Sequence, residues 1–284
     1  MVTLSRREVT ELLADHGLRP RRALGQHFVV DPNTVRRVAR LAEVGPGDRV
    51  VEIGAGVGSL TLALAEAGAE VVAVEIDDRL VAVLREVVEP QGVRVVHGDA
   101  LALDWEVVLG HPQLGAWALV ANLPYNVATP LIADLLDGVP AIGRMLVMVQ
   151  HEVAERLVAE VGDPGYGAVS VKVRYWATAR LAGNVPSRVF WPEPAVESAL
   201  VAIERREAPA VDPALVEPEA LFALVRAGFS QRRKMLRRAL VGQVDHEDFA
   251  CAGVRPEARA EELDVAAWAR LAACVRRRQA ALSP

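Results

Sequence analysis

The run Ala121-Asn122-Leu123-Pro124-Tyr125-Asn126 holds the residue types best suited to act on a bound planar amine. Pro124 fixes the turn and has no N–H to donate. That leaves the Leu123 carbonyl directed outward as an acceptor. The Asn122 side chain adds a second acceptor, and Tyr125 a flat ring. Two fixed acceptors and a stacking face suit an exocyclic amine such as N6 of adenine. That nitrogen is a poor nucleophile, because its lone pair is delocalised into the ring. Accepting its N–H groups favours a pyramidal nitrogen and stabilises positive charge as it develops. In-line positioning then carries much of the rate, and no strong base is needed.

Such a turn needs a scaffold that brings a second ligand beside it. The run Val50-Val51-Glu52-Ile53-Gly54-Ala55-Gly56-Val57-Gly58, followed by Ser59-Leu60-Thr61-Leu62, reads as a strand, a tight glycine turn and a helix start. Glycine lets backbone approach a ligand and adopt positive φ, and the helix start presents free N–H groups. The spacing is G-x-G-x-G and not the G-x-G-x-x-G of dinucleotide folds. It fits a ligand without a pyrophosphate, such as S-adenosylmethionine, and disfavours a nicotinamide oxidoreductase. A second strand, Glu70 to Glu75, ends in an acid 21 positions after Gly54. There Glu75 is placed to hold two ribose hydroxyls. After a third strand comes Gly98-Asp99-Ala100-Leu101, where the Asp99 carboxylate can accept from an adenine amine and an adjacent backbone N–H can donate to a ring nitrogen.

Two further stretches carry candidate contacts. Phe190, in the proline-braced run Val189-Phe190-Trp191-Pro192-Glu193-Pro194, could stack on the other face of a target base. His27 and Val29 follow Gly25-Gln26 in a basic segment, where His27 is expected to close over the cofactor. No histidine has metal-ligand spacing with other candidates, so no metal is expected.

Strand and helix patterns alternate around these residues. Strands are predicted near 49–54, 70–75, 93–97, 117–122 and 144–150, with helices near 59–67, 77–88, 128–137 and 151–160. This is the pattern of an α/β fold with a parallel sheet and helices on both faces. Its ligands bind beyond the carboxyl ends of the strands, where Gly54, Glu75, Asp99 and Asn122 all fall. Upstream, a helix is predicted from Arg6 to Asp15 and another from Pro32 to about Ala42, capped by Asp31. Val169–Trp176 and Ser198–Glu204 read as a closing strand pair at the sheet edge. Residues 205–218 read as a linker, and helical periodicity dominates from Glu219 onward. Two domains are expected: 1–206, catalytic with a basic N-terminal segment, and 207–284, a small all-helical RNA-binding domain.

The chain has 284 residues, of which 52% are hydrophobic, enough for a full core. Charge interrupts every apolar run, so no membrane helix is expected. No signal-peptide pattern follows Arg6 and Arg7. Cys251 and Cys274 are too few for a disulfide scaffold or a cysteine metal cluster, and fit a reducing cytoplasm. The net charge of −5 argues against nucleic acid, but its distribution argues for it. Between Arg226 and Leu240 stand Arg226, Arg232, Arg233, Lys234, Arg237 and Arg238 with no acid. We expect Arg232, Arg233, Lys234 and Arg237 to contact phosphates, together with Arg21 and Arg22. Their spacing cannot put all of them on one helix face, so some are expected to serve domain packing.

Taken as a set, these stretches resemble the ribosomal RNA adenine dimethyltransferases, the KsgA/RsmA family. The likeness runs through Leu24-Gly25-Gln26-His27-Phe28, Glu52-Ile53-Gly54-x-Gly56-x-Gly58, Gly98-Asp99-Ala100, Asn122-Leu123-Pro124-Tyr125-Asn126 and Phe190-x-Pro192-x-Pro194, to Phe229-x-Gln231-Arg232-Arg233-Lys234. The resemblance implies a class I, Rossmann-like, seven-stranded methyltransferase with a C-terminal helical domain. It further implies dimethylation of two adjacent adenosines near the 3′ end of 16S rRNA in the small ribosomal subunit during assembly. By motif, His27, Val29, Gly54, Gly56, Glu75, Asp99, Ala100 and Asn122 would contact S-adenosylmethionine. Asn122, Leu123 and Pro124 would hold the target N6, with Tyr125 and Phe190 stacking. Bacterial members usually carry asparagine at His27 and leucine at Val29. The expected enzyme is a cytoplasmic monomer. Two competing readings are an assembly factor that mainly binds the subunit, and a 23S adenine methyltransferase of the macrolide-resistance type. The latter resemble Asn-Ile-Pro-Tyr/Phe where this chain has Leu123.

Overall fold

The computed structural model describes residues 3–111 and 113–282. Helix α1 (Arg6–Asp15) is capped by Ser5 and Glu8, each accepting from the other's backbone N–H. A 3-10 turn (Arg22–Leu24) and a short strand β1 (Phe28–Val29) follow. Helix α2 (Pro32–Leu41) starts with proline in its first turn, and the Asp31 carboxylate accepts the Thr34 N–H at 2.9 Å, as predicted. Strands and helices then alternate: β2 (Arg49–Ile53), α3 (Ser59–Glu66), β3 (Glu70–Glu75), α4 (Asp78–Val88), β4 (Arg94–His97), α5 (Trp105–Leu109), β5 (Trp117–Asn122), α6 (Ala128–Gly138), β6 (Ile142–Gln150) and α7 (His151–Val158).

The last part of the chain departs from expectation in one element. Residues Ala168–Trp176 form a helix, α8, and the sheet-edge strand is its successor β7 (Ala177–Val185). The run Val169-Ser170-Val171-Lys172-Val173 alternates like a strand, and Ser170, Val171, Val173 and Tyr175 are indeed the buried positions. This helix is buried on more than one face, so alternation does not report its period. Ser170 helps to start it by accepting the Gly167 N–H at 3.0 Å. Tertiary packing overrides β propensity here. Strands β8 (Phe190–Trp191) and β9 (Ser198–Arg205) follow, then α9 (Pro218–Ser230), α10 (Leu236–Ala239), α11 (His246–Ala252) and α12 (Val265–Leu282).

The main sheet has seven strands in the order β4-β3-β2-β5-β6-β9-β7. The strands from β4 to β6 are mutually parallel, and β9 runs antiparallel to β6. From β2 the chain steps to β3 on one side, and β5 later returns on the other. The order therefore reverses between β2 and β5, which opens a crevice beyond their carboxyl ends. Gly54 and Asn122 sit at those two ends. A separate two-stranded ribbon pairs β1 with β8 antiparallel, Phe28 opposite Trp191 and Val29 opposite Phe190. The sequence does not announce this ribbon, yet it ties the Gln26-His27 segment to the Phe190–Pro192 loop.

Two compact units result, Met1–Ala154 with Arg180–Arg205, and Glu155–Ala179 with Arg206–Pro284. The expected cut after 206 thus omits α8, which belongs with the helices. Tyr166, Tyr175, Phe222 and Trp268 build the core of that second unit, and the Tyr166 hydroxyl donates to the Leu263 carbonyl at 3.1 Å. Cys251 and Cys274 are joined by a disulfide between α11 and α12, with Cα atoms 6.2 Å apart. This corrects the reading of the two as reduced thiols. Nothing in a spacing of 23 residues reveals that the helices carrying them pack together.

Among the described residues, no helix is long and apolar enough to cross a membrane, and no group of three His, Cys, Asp or Glu gathers to hold a metal.

Candidate active site

Two adjoining cavities lie at the crevice. The first is lined by His27, Val29, Gly54, Gly56, Glu75, Asn122, Leu123, Pro124 and Tyr125, among others. The second is lined by Asp99 and Ala100 and shares Leu24, Gly54, Ile76 and Pro124 with the first. Every cofactor residue expected from the sequence therefore borders one or other of these adjoining cavities.

The turn after β5 is held from three sides. The Leu123 N–H donates to the Met148 carbonyl at 3.1 Å, continuing the sheet past the end of the strand. The Tyr125 and Ser198 hydroxyls share a hydrogen bond of 2.7 Å, and Tyr125 stacks on His27 with ring centroids 5.3 Å apart. Burial pushes the Tyr125 phenol up, with the Ser198 bond pulling partly back. The Asn122 amide NH₂ donates to the His27 carbonyl at 2.9 Å. The opposite amide orientation would set two carbonyl oxygens against each other, so this bond fixes which way the amide is turned. The other end of the amide, Oδ1, is buried and has no hydrogen-bond partner.

His27 links three pieces of the site. Its Nδ1–H donates to the Pro192 carbonyl at 2.7 Å, its ring stacks on Tyr125 and its carbonyl orients Asn122. A histidine thus fills the position with contacts of its own.

The glycine turn is shaped by neighbours as well as by any ligand. Gly54 has φ +75° and a Cβ there would lie 3.3 Å from Pro124 Cδ. Gly56 has φ +61°, and a Cβ there would lie 2.9 Å from the Phe28 ring. The Gly56 N–H donates to Glu75 Oε2 at 2.8 Å, while Ile76 and Asp77 N–H donate to Oε1 at 3.0 and 2.9 Å. Burial raises the Glu75 carboxyl, and these three backbone donors oppose it. An ionised carboxylate has about four acceptor sites, so capacity remains for a ligand hydroxyl.

Phe190 is not where the sequence reading puts it. It is fully buried, packs in the core beside Val29 and lines neither cavity. Pairing with β1 turns its apolar ring inward and leaves Trp191 as the more exposed residue of the ribbon. In this structure the aromatic rings that line the cavity are His27, Phe28 and Tyr125.

The basic residues divide into engaged and free. Arg232 pairs with Glu261 at 2.5 Å and donates to the Pro164 carbonyl, and Arg237 pairs with Glu257 at 3.4 Å. Arg233 and Lys234 are exposed, and no side-chain partner for either is present among the described residues. Arg21 lies 3.8 Å from Asp77. Arg22 starts the 3-10 turn, and its side chain lies outside the described residues.

Sequence reasoning assigned nothing to four residues that matter here. Ser59 lines the first cavity with a buried, partnerless Oγ. Gln26 and Asp77 join across 3.0 Å beside it. Glu52, 2% exposed, lines the cavity floor and accepts the Thr61 hydroxyl at 2.6 Å. An acid set between Val51 and Ile53, just before the glycine turn, is the signal for Glu52 in the sequence.

Burial pushes the Glu52 carboxyl up to about 8, the Thr61 bond pulls back, and the nearby Glu75 charge adds to the rise. Between the ordinary carboxylate value and 8, folded protein keeps a proton that the unfolded chain has released, so stability falls as pH rises through that window. From pH 5 to 8 the loss is on the order of 3 kcal/mol. Glu52→Gln is expected to remove this part of the pH dependence. Urea unfolding of both proteins at the two pH values checks it, and an identical pH slope would refute it.

The site fits S-adenosylmethionine by observations of its own. Two buried oxygens without partners, Asn122 Oδ1 and Ser59 Oγ, belong to residues that line a space also bordered by Glu75 and by the glycine turn at Gly54 and Gly56.

Comparison with known proteins agrees with this geometry. The sequence model of the family described as Ribosomal RNA adenine dimethylase matches residues 17–276. The chain is 48% identical to Ribosomal RNA small subunit methyltransferase A of Kineococcus radiotolerans, over 95% of this chain and 91% of that one. Among solved structures it is similar to a dimethyladenosine transferase from Plasmodium falciparum, with TM-score 0.69, 25% identity and coverage of 86% and 96%. It is also similar to the 23S rRNA methyltransferase ErmE, with TM-score 0.64, 27% identity and coverage of 88% and 99%. The seven-stranded α/β unit is an S-adenosylmethionine-dependent methyltransferase fold, and the chain belongs to the ribosomal RNA adenine dimethylase family.

Proposed function

We propose that this chain dimethylates N6 of two adjacent adenosines in the 3′-terminal hairpin of small-subunit 16S rRNA, acting as a cytoplasmic monomer during ribosome assembly. One observation carries the reading. Asn122 lines the cavity, its carbonyl oxygen is buried and partnerless, and a bond from its own amide to the His27 carbonyl fixes its orientation.

When bound, S-adenosylmethionine supplies an electrophilic methyl carbon on a sulfonium sulfur. Glu75 would hold the ribose hydroxyls, Asp99 and Ala100 the adenine edge, and Gly54, Gly56, Val29 and His27 the remaining walls. The target adenine lies against the Tyr125 ring. Asn122 Oδ1 and the Leu123 carbonyl accept its N6 hydrogens and draw the lone pair out of ring conjugation. The forming C–N bond leaves positive charge on N6, and those two acceptors stabilise it. The sulfur keeps the electron pair of the bond that breaks. The methylated nitrogen is a strong acid and loses its proton to solvent. Incubating the protein with labelled S-adenosylmethionine and separated, undermethylated subunits tests the substrate. Label is expected in small subunits; label in large subunits alone would favour the reaction named for ErmE.

Phosphate contact falls to the basic residues that are not already paired. Arg233→Ala with Lys234→Ala is expected to weaken small-subunit binding and to flatten its salt dependence by about 0.7–0.9 in log–log slope per lost phosphate contact. The affinity for S-adenosylmethionine should not change. Filter binding across a salt series measures this, and a wild-type slope would exclude these residues as RNA contacts.

A further inference from the structure

Asp77 stands between β3 and α4, with a buried side chain that lines neither cavity. Arg79 grips it from one side at 3.1 and 2.9 Å. From the other side the Gln26 amide donates to Oδ2 at 3.0 Å, and the Arg21 guanidinium approaches Oδ1 to 3.8 Å. Gln26 also accepts the Arg21 N–H at 2.7 Å, which closes residues 21–26 into a compact loop. Leu24, on that loop, lines both cavities. Gly25, at φ +62°, runs so close to the catalytic turn that a Cβ would lie 3.1 Å from Asn126 Oδ1. The far end of the loop is anchored by the pairing of Phe28 and Val29 with β8.

We propose that Asp77 is a positioning residue that, through Gln26 and Arg21, straps residues 21–27 across the cofactor cavity and so sets how long S-adenosylmethionine stays bound. The fastening is charge-assisted, since an amide and a guanidinium meet a carboxylate that Arg79 keeps ionised, and such bonds are about twice as strong as neutral ones. Arg79, with Gln26 adding, holds that carboxyl down at about 2. Arg21 thereby has a role other than phosphate contact. Leu24 and Gly25 are placed by the strap, whereas His27, whose carbonyl orients Asn122, is also held by the Pro192 carbonyl and the Tyr125 ring, so loosening the strap enlarges the cavity mouth more than it disturbs Asn122.

The inference rests on the cavity being the S-adenosylmethionine site, and the experiment separates the two. Calorimetry and stopped-flow dissociation of S-adenosylmethionine are measured for wild type, Gln26→Ala, Gln26→Glu and the pair Gln26→Glu with Asp77→Asn, with thermal unfolding as a check of folding. Gln26→Ala should bind about tenfold more weakly through faster dissociation. Its KM for S-adenosylmethionine should rise in step, while kcat at saturation falls less than threefold. Gln26→Glu sets a second carboxylate against Asp77 and should weaken binding further. The paired variant restores a donor–acceptor contact with reversed polarity and should bind more tightly than Gln26→Glu alone. A merely structural cap on α4 would show no such rescue. Folded Gln26→Ala with wild-type dissociation, or no rescue in the pair, overturns the strap. Wild type that fails to bind S-adenosylmethionine overturns the cofactor reading and the strap with it.

Discussion

Asn122→Ala is expected to lower methyl transfer by about 10²–10³-fold, the effect of removing one preorganised polar group from a site of developing charge. The loss should fall on kcat, because the lost acceptor acts most strongly when N6 becomes positive. Small-subunit binding should persist, since the proposed phosphate contacts, Arg233 and Lys234, lie elsewhere on the chain. The substitution also deprives the His27 carbonyl of its donor, so His27 could shift. Asn122→Asp separates these effects: it retains an oxygen toward the cavity but sets a carboxylate against the His27 carbonyl. Single-turnover methylation and filter binding, run on folded protein, report the two quantities. Loss of subunit binding together with transfer would mean that Asn122 is not specifically catalytic.

Gly56→Val is expected to abolish measurable cofactor binding and to destabilise the catalytic unit. Its φ of +61° is costly for a branched side chain, at about 1–3 kcal/mol. The new Cβ would also meet Phe28 Cε1 at 2.9 Å and Cδ1 at 3.0 Å. Relieving that overlap costs about a further 1–3 kcal/mol. A backbone shift that relieves it would pull the Gly56 N–H from Glu75 and turn the carboxylate proposed to hold the ribose. Affinity for S-adenosylmethionine should therefore fall more than 100-fold, on the scale of about 3 kcal/mol. Gly56→Ala meets the same Cβ contact without the branch, and should lie between. Calorimetry with thermal unfolding measures both; wild-type affinity in a folded Gly56→Val protein would remove the turn from the site.

Much of the catalytic unit was legible because local chemistry and fold agree. Asp31 before Pro32 marks a helix start, and both residues act as read. Apolar strands ending at Gly54, Glu75 and Asn122 place those residues at one edge of the sheet, where the strand order reverses. What was illegible depends on partners remote in sequence. The pairing of Arg232 with Glu261, and of Arg21 with Asp77, is not visible in the sequence, where both arginines stand without an acid nearby. Phe190 reads as a stacking ring until the ribbon with β1 turns it inward. Alternation in 169–176 reads as a strand because helix α8 is buried on more than one side. The orientation of Asn122, which carries the functional argument, depends on a carbonyl 95 positions earlier in the chain.

The most direct measurement is mass-spectrometric mapping of 16S rRNA from undermethylated small subunits after reaction with the protein and S-adenosylmethionine. Wild type is expected to leave N6,N6-dimethyladenosine at two adjacent positions near the 3′ end, and Asn122→Ala at neither. Subunits that are bound but unmodified by wild type, or methyl groups at a base other than adenine, would contradict this.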